Sequence, residues 1–423
     1  TGNSLTAVGQ GSLANNTTAN NNTALGKDAL NLNTTGDNNT AVGRSALQAN
    51  TTSGSNTAVG KNVMLVNTTG GANTAVGADC LDANTTGASN VAMGYLALTS
   101  ATTADSNVAV GRSAMSTNTT GHSSVAIGRD ALENHSTGNQ NTAVGFSAGK
   151  YCTTGAANVF IGDYAGHGLT TASRSVFIGN TAGYTGSITG DKNTAVGDNA
   201  LRSVSSGHQN QAVGTDAGTA LTTGCCNNYF GNAAGAQATT GDSNTAVGDA
   251  AGYEITTGSN NLLLGKDAGR SSSPSGVVND ESNIVVLGNN SISSLFCADT
   301  SISSSDSRDK TDITDFTKGL DWINALRPVT YRWDRRTWYG TDEEPYGTPD
   351  GSKKRSKLHI GFLAQEALEI EKSNGYGSSN DDSLIVNLTS DGMSYGMKYE
   401  RIVPILINAI KDLSAKFTTL EAG

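Results

Sequence analysis

A short phrase of polar and apolar residues recurs along the first two thirds of the chain. Its commonest form is Asn-Thr-Ala-Val-Gly, as at 39–43, and its glycine returns every 17 residues. One residue is inserted after the eleventh glycine, and the last step is longer. So strict a period indicates stacked, nearly identical coils. The repeat glycines are Gly9, Gly26, Gly43, Gly60, Gly77, Gly94, Gly111, Gly128, Gly145, Gly162, Gly179, Gly197, Gly214, Gly231, Gly248, Gly265 and Gly288.

Each repeat is predicted to hold two short strands and two turns. Residues 39–43 and 45–47 are typical of strands, and 33–36, with the sequence Asn-Thr-Thr-Gly, of a turn. Val42 and the residue two positions earlier share one face of the first strand, and we expect that face to point inward. Turns every 17 residues exclude a helical repeat. The fold predicted for residues 1–288 is a mainly β, parallel β-roll or β-solenoid shaft.

A single rod of such coils would bury little apolar surface. Each coil offers only a few Val, Ala and Leu side chains, about 3 to 5 kcal/mol at about 25 cal/mol per Å², against a large ordering cost. Association of several chains is expected to supply the missing burial. Triplets such as those at Asn33 and Asn67 fit glycosylation acceptors. Their recurrence at one corner of the coil favours a stacked asparagine ladder instead.

The phrase at 124–128, Ser-Val-Ala-Ile-Gly, resembles the repeat of the left-handed parallel β-roll heads of trimeric adhesins and of related phage-fibre stalks. The resemblance covers about residues 1 to 270. It implies a trimeric architecture and says nothing about a ligand.

Composition and charge exclude several classes of protein. With 52 Gly, 15% charged and 5% aromatic residues, the chain is unlike an ordinary enzyme. A net charge of -10 argues against nucleic acid as a partner. The sequence has no run of about 18 apolar residues, so membrane insertion is not expected. Thr1 in place of Met indicates a segment of a longer protein. The cysteines lack the spacing of a metal site or disulfide framework, and no cofactor is expected; they are Cys80, Cys152, Cys225, Cys226 and Cys297.

The period ends after Gly288, where a different kind of sequence begins. We interpret 289–304 as a Ser-rich linker and 305–423 as a small α+β domain with ordinary densities of Trp, Tyr and charged residues. A helix is predicted from Asp315 to Leu326, before Pro328, with Phe316, Leu320 and Ile323 facing inward. A long terminal helix carries a heptad-like seam suited to a three-chain coil or to its own domain. Its members are Ile402, Leu406, Ala409, Leu413, Phe417 and Leu420.

Three motifs follow one another in this domain. They are Ser-Asp-x-Arg-x-Lys at 305–310, Leu-x-Pro-Val-x-Tyr-x-Trp at 326–333, and Gly-Phe-x-Ala-Gln-Glu at 361–366. Their order, followed by a terminal helix, resembles the peptidase S74 family over about residues 300–423. Members of that family trimerise, template the folding of the β-rich fibre upstream, and then cut themselves off.

The resemblance implies roles for individual residues. Ser305 matches the nucleophile and Lys310 the base, so cleavage is expected at the bond between Ser304 and Ser305. His359 stands where the family often carries a histidine important for cleavage. The supporting motif residues are Asp306, Arg308, Gln365 and Glu366.

The residues themselves allow this chemistry. A serine hydroxyl needs a base, and a lysine can serve when burial or nearby cations lower its pKa. Five residues of loop can return Lys310 to Ser305. Arg308 and His359 could disfavour a protonated lysine or stabilise the oxyanion, and their roles stay open. An insertion at 334–357 leaves the placement of His359 open too, and its basic run at 353–355 is expected to be solvated.

These features together predict a homotrimeric tail-fibre segment of a virion, assembled in the host cytoplasm and binding a glycan or protein on the host surface. Its C-terminal domain is expected to act as a single-turnover serine autoprotease. One alternative is a bacterial trimeric surface adhesin, which lacks support from an outer-membrane anchor. Another is a carbohydrate-degrading tailspike, which needs paired carboxylates, whereas acids such as Asp28, Asp130 and Asp216 are scattered.

Overall fold

The computed structural model describes residues 2–292, 311–340, 344, 346–379, 381–388 and 395–421. The chain divides into two compact units, one made of Thr1–Arg270 and Val278–Gly288 and the other of Ser271–Val277 and Asn289–Gly423. The first unit holds the repeats, and the second holds the described helices.

The repeats form one parallel sheet of 17 strands. Each strand pairs with the strand one repeat later, and the register aligns Thr40 with Thr57 and Ala41 with Ala58. The period therefore sets the pairing, and the predicted parallel β-solenoid is confirmed. The strands are β1 Thr6–Val8, β2 Thr23–Leu25, β3 Thr40–Val42, β4 Thr57–Val59, β5 Thr74–Val76, β6 Val91–Met93, β7 Val108–Val110, β8 Val125–Ile127, β9 Thr142–Val144, β10 Val159–Ile161, β11 Val176–Ile178, β12 Thr194–Val196, β13 Gln211–Val213, β14 Asn228–Phe230, β15 Thr245–Val247, β16 Leu262–Leu264 and β17 Val285–Leu287.

The middle residue of each strand from β2 to β17 is buried in the interior, whereas Ala7 of β1 is exposed. Ala41 is fully buried, whereas Thr40 and Val42 are only partly buried. The prediction that the face carrying Val42 points inward is therefore wrong. The interior of so short a coil holds the middle side chain together with Ala46 and Leu47 of the same coil, and the β-branched side chains on either side of the middle residue stay partly exposed.

The outward residues of the strands form an apolar stripe along the shaft. We define the apolar stripe as the residues that directly precede the repeat glycines. Four of them, Val8, Ile127, Val247 and Leu287, are between 40% and 56% exposed. The full set is Val8, Leu25, Val42, Val59, Val76, Met93, Val110, Ile127, Val144, Ile161, Ile178, Val196, Val213, Phe230, Val247, Leu264 and Leu287.

The second segment of each coil is a turn, and the prediction of a second strand at 45–47 is wrong. Ser45 and Leu47 have φ values of 57° and 51°, in the left-handed region that a strand does not use. The side chain of Leu47 is buried, and its N–H donates to the carbonyl of Val63 in the next coil at 3.0 Å. The turn thus encloses the side chain of Leu47 within its own coil.

Two columns of buried asparagines stack along the turns. Nδ2 of Asn50 donates to Oδ1 of Asn33 at 2.9 Å, and Nδ2 of Asn67 donates to Oδ1 of Asn50 at 3.0 Å. In the second column the N–H of Asn56 donates to Oδ1 of Asn39 at 3.0 Å. The expected asparagine ladder is confirmed. It provides hydrogen-bond partners for polar groups that the apolar interior could not satisfy.

The packing around Phe160 shows how narrow the interior is. Its ring fills the space beside Gly149 and Gly166, which stand at the repeat position that Leu47 occupies in its own coil, and a Cβ on either glycine would overlap the ring. Tyr229 is paired in the same way with Gly235. A large side chain on the strand is therefore matched by a missing side chain on the turn, which keeps the packed volume nearly constant.

The C-terminal unit is a small α+β domain around the buried residues Trp322, Leu326, Leu368, Ile402 and Ile405. Strands β18 and β19 pair antiparallel, as do β20 and β21. In the stretches that the structure describes, no helix is long and apolar enough to cross a membrane. The elements are α1 Leu320–Ala325, β18 Val329–Tyr331, β19 His359–Gly361, α2 Ala364–Ser373, β20 Val386–Leu388, β21 Tyr395–Met397 and α3 Ile402–Glu421.

Helix α1 begins later than predicted, at Leu320 and not at Asp315. Gly319 precedes it with non-helical φ and ψ of -145° and -104°. A Cβ at Gly319 would lie 2.7 Å from the backbone N of Ala409, so the glycine allows close approach to α3. The buried residue of α1 is Trp322, which the prediction of the inward face missed.

Helix α3 presents two apolar faces, so the predicted single seam is partly wrong. Ile402, Ile405 and Ala409 are buried in their own domain. The exposed residues continue a separate pattern with spacings of 3, 4, 3, 4 and 3, which is the spacing of a coiled coil. We call this set the α3 seam: Val403, Leu406, Ile410, Leu413, Phe417 and Leu420.

One position of the first asparagine column is occupied by a buried histidine. His135 follows Asn118 by one repeat, and its Nε2 lies 2.7 Å from the carbonyl oxygen of Gly138. Burial lowers the pKa of His135, and this outweighs the opposite effect of the hydrogen bond to the carbonyl of Gly138. The folded shaft therefore favours the neutral imidazole.

We predict that His135 makes the shaft sensitive to acid. The unfolded chain binds a proton near the ordinary histidine pKa of about 6.5, so the free energy of unfolding falls as the pH drops below that value. His135→Asn, which extends the ladder, is expected to flatten the acid side of the curve of melting temperature against pH. His122→Asn, which changes an exposed histidine one repeat earlier, is the control and should keep the parent slope. Equal slopes in parent and His135→Asn would contradict the prediction.

Candidate active site of the C-terminal domain

Strands β18 and β19 bring two of the sequence motifs together. Their antiparallel register places Tyr331 opposite His359 and Val329 opposite Gly361. The insertion at 334–357 is therefore accommodated between paired strands. It leaves the motif at 361–366 directly beside the motif at 326–333.

The ring of His359 is held among aromatic side chains. It stacks on Tyr331 with centroids 5.5 Å apart and an interplanar angle of 20°, and Trp333 lies 6.3 Å away. Partial burial raises the pKa of Tyr331, and the nearby Tyr399 adds to the effect. An imidazole held in this way has a defined orientation and is a chemically reasonable group for proton transfer.

A close contact fixes the end of β19. The N–H of Phe362 donates to the hydroxyl of Tyr399 at 3.3 Å, and a Cβ on Gly361 would overlap that hydroxyl oxygen. Gly361 is therefore required by the approach of Tyr399. Sequence reasoning gave Tyr399 no role.

The two supporting residues at the start of α2 behave differently. Glu366 accepts two hydrogen bonds from Arg327, one from Nε at 3.2 Å and one from Nη2. This contact lowers the pKa of Glu366. Gln365 is exposed. Glu366 thus joins α2 to the segment between α1 and β18, and Gln365 is left facing solvent.

The basic run of the insertion is exposed, yet it is held by aromatic rings. The guanidinium of Arg355 lies 5.1 Å from the ring centre of Trp338, and the backbone N–H of Arg355 donates to the carbonyl of Trp333 at 2.8 Å. Arg335 covers the ring of Trp333 at 4.4 Å. Burial, with Arg355 nearby, lowers the pKa of Arg335. The basic run is exposed, as expected for a solvated loop. Its contacts with the aromatic residues were not predicted.

Sequence reasoning also missed a buried carboxylate, Glu371 of α2. It accepts hydrogen bonds from the hydroxyl of Ser383 at 3.0 Å, from the N–H of Leu384 at 3.3 Å and of Val386 at 3.2 Å, and from the N–H of Ile385. Glu371 is fully buried. The side chain of Glu371 thus holds residues 383–386, where β20 begins, against α2.

The proposed nucleophile and base lie outside the described residues. This applies to Ser304, Ser305, Asp306, Arg308 and Lys310, whose roles stay predictions. In the segments that are described, no group of three or more His, Cys, Asp or Glu side chains is arranged to hold a metal.

Comparison with known families adds a direct finding. Residues 305–376 match the model of the Peptidase_S74 family, described as the chaperone of endosialidase. This segment is a chaperone domain of that family. The match begins at Ser305 and includes β18, β19 and α2. With the β-solenoid, the domain is consistent with a protein of the tail-fibre or tailspike type. A search of curated proteins found no match to the chain.

We predict that Glu371→Gln loosens the domain. The amide would turn an N–H₂ group toward backbone N–H donors, and removal of hydrogen bonds to a buried carboxylate costs about 2 to 3 kcal/mol. Hydrogen exchange at 384–386, read by mass spectrometry, should rise. Glu369→Gln is the matched control, because Glu369 lies on the exposed side of the same helix and pairs only with Lys372 in the described contacts. Unchanged protection in Glu371→Gln would show that the carboxylate does not hold β20.

Proposed function

We propose that this chain is a segment of a homotrimeric viral tail fibre that attaches the virion to its host. Its C-terminal domain would template assembly and then cleave itself off. The observation that carries the proposal is the Peptidase_S74 match at 305–376, directly after a repetitive β-solenoid. The acidic net charge of -10 fits a surface fibre that does not bind nucleic acid.

Cleavage is proposed at the bond between Ser304 and Ser305. The hydroxyl of Ser305 gives its proton to Lys310, in its neutral form, and attacks the carbonyl carbon of residue 304. The peptide C–N bond then breaks as the amine of Ser305 takes the proton from Lys310, and water hydrolyses the resulting ester to separate the two chains. His359 assists from the edge of the β18–β19 pair. Support comes from the family match, which begins at the proposed nucleophile, and from the aromatic contacts that orient the imidazole.

Two apolar surfaces support three-chain assembly. The apolar stripe continues through all 17 strands of the shaft, and the α3 seam has the spacing of a coiled coil. Residues such as Val8, Leu413 and Phe417 are more than half exposed in the single chain. Contact with other copies would remove this surface from water, the main favourable term in association.

The repeats explain why a template is useful. Coils that differ little from their neighbours can pair one repeat out of step and leave only the coils at the two ends unpaired, which makes the register weakly specified. A distinctive C-terminal domain that trimerises first would align the three chains. Its removal afterwards leaves a fibre whose unfolding is hard to reverse, so that its stability is kinetic.

We predict that the parent chain, expressed with its C-terminal domain, yields two fragments that meet at Ser305. Ser305→Ala should stay intact because it lacks the nucleophile, and Lys310→Arg should stay intact because a guanidinium does not accept the proton. Intact mass under denaturing conditions measures both.

Ser303→Ala is the matched control, since it changes a serine of the same run two residues upstream, and it should be cut like the parent. An uncut parent, or a Ser305→Ala variant that is cut at the same bond, would contradict the proposed mechanism.

A further inference from the structure

Aromatic side chains gather at one place on the shaft. We call this the aromatic patch and define it as Phe146, Tyr151, Tyr164, His167 and Tyr184. These residues belong to three consecutive coils and lie in the turn segments that follow the strands. Elsewhere in the described shaft, the partly exposed aromatic residues stand apart along the sequence; they are Tyr95, Phe230 and Tyr253.

The five rings form one continuous contact. Tyr164 lies 4.9 Å from Phe146, 5.4 Å from His167 and 5.8 Å from Tyr184, measured between ring centres. His167 stacks on Tyr184 at 5.1 Å and meets Tyr151 edge to face at 4.8 Å. Because these residues come from successive coils, the stacking of the solenoid sets their spacing.

The patch is not part of the core. The shaft has a separate class of aromatic residues, Phe160, Phe177 and Tyr229, which are fully buried and packed inside the coils. The patch residues are partly exposed, and Tyr151 is 44% exposed. The interior of these coils is already filled by side chains such as Phe160, Phe177 and Leu169, so the rings on the outside are not needed to close it.

Cationic side chains border the rings. Arg129 covers Phe146 at 4.4 Å, Lys150 lies 6.0 Å from the ring of Tyr151, and Arg202 lies 5.7 Å from that of Tyr184. Acidic groups lie among them, because Arg129 pairs with Asp130 at 3.2 Å and Lys150 with Glu133 at 2.8 Å. The patch therefore combines flat apolar faces with a rim of donors and acceptors.

The repeat also changes at this place. The only 18-residue step in the regular series runs from Gly179 to Gly197, in the coil that carries Tyr184. The inserted coil borders a polar cleft of about 280 Å³ whose lining includes Asp191, Lys192 and His208. In repeat proteins such departures often mark the binding face.

We propose that the aromatic patch binds a glycan of the host surface. A pyranose ring has an apolar C–H face and a rim of hydroxyl groups, which suit an aromatic ring bordered by charged and polar side chains. A row of rings on successive coils, about 5 Å apart along the shaft, suits an extended polysaccharide. The inference rests on the proposed host attachment and assigns that function to one site.

The test measures binding to an array of purified bacterial capsular polysaccharides and lipopolysaccharides. The parent is expected to bind at least one of them. The double variant Tyr164→Ala, Tyr184→Ala should lose about tenfold or more in apparent affinity through the loss of two stacking contacts. The double variant Tyr95→Ala, Tyr253→Ala removes two tyrosines outside the patch and should keep the parent affinity.

A second pair, Tyr164→Leu with Tyr184→Leu, keeps apolar contact with the neighbouring side chains but lacks the aromatic faces. If the alanine variant melts at a lower temperature than the parent, the leucine variant decides the test. It should lose as much binding affinity as the alanine variant. Unchanged binding in the leucine variant, or a parent that binds none of the polysaccharides, would overturn the inference. A parent that adsorbs to bacterial cells without binding any polysaccharide would overturn it while leaving host attachment supported. The cleavage test is independent of all these outcomes.

Discussion

The narrow interior of the 17-residue coil is the constraint on which the rest of the structure depends. Each coil lies directly on the next through backbone hydrogen bonds, and its interior holds only a few side chains, such as Ala41 of the strand with Ala46 and Leu47 of the turn. Where the strand residue is as large as Phe160, the turn residue is glycine. Buried asparagines provide hydrogen-bond partners for the polar backbone at the corners, because a buried polar group without a hydrogen bond costs free energy.

This constraint places the remaining apolar side chains on the outside. The apolar stripe is left exposed in a single chain, and the proposed trimer is the arrangement that would cover it. The same uniformity makes neighbouring registers nearly equal in energy, and in the proposed assembly a non-repetitive domain would supply the alignment. The C-terminal domain has its own core around Trp322 and Ile405 and an exposed α3 seam, which suit the proposed template.

The repeat period was enough to predict the parallel sheet, because a fixed step of residues stacks each strand on its own copy. It was not enough to predict which face is buried: alternation alone does not distinguish Ala41 from Val42, and the width of the coil decides. In the C-terminal domain, the sequence left the placement of His359 open, and the pairing of β18 with β19 brings it opposite Tyr331. The contacts of Tyr399 and Glu371 depend on segments distant in sequence, so no local pattern could reveal them. The roles of Ser305 and Lys310 stay predictions.

The central claim is that the thin coil requires association of three chains. Sedimentation equilibrium of the Ser305→Ala variant measures this most directly, since cleavage is then not expected to alter the mass. The account predicts a single species of three times the chain mass of 43.1 kDa. A species with the mass of one chain, stable and folded across the concentration range, would contradict it.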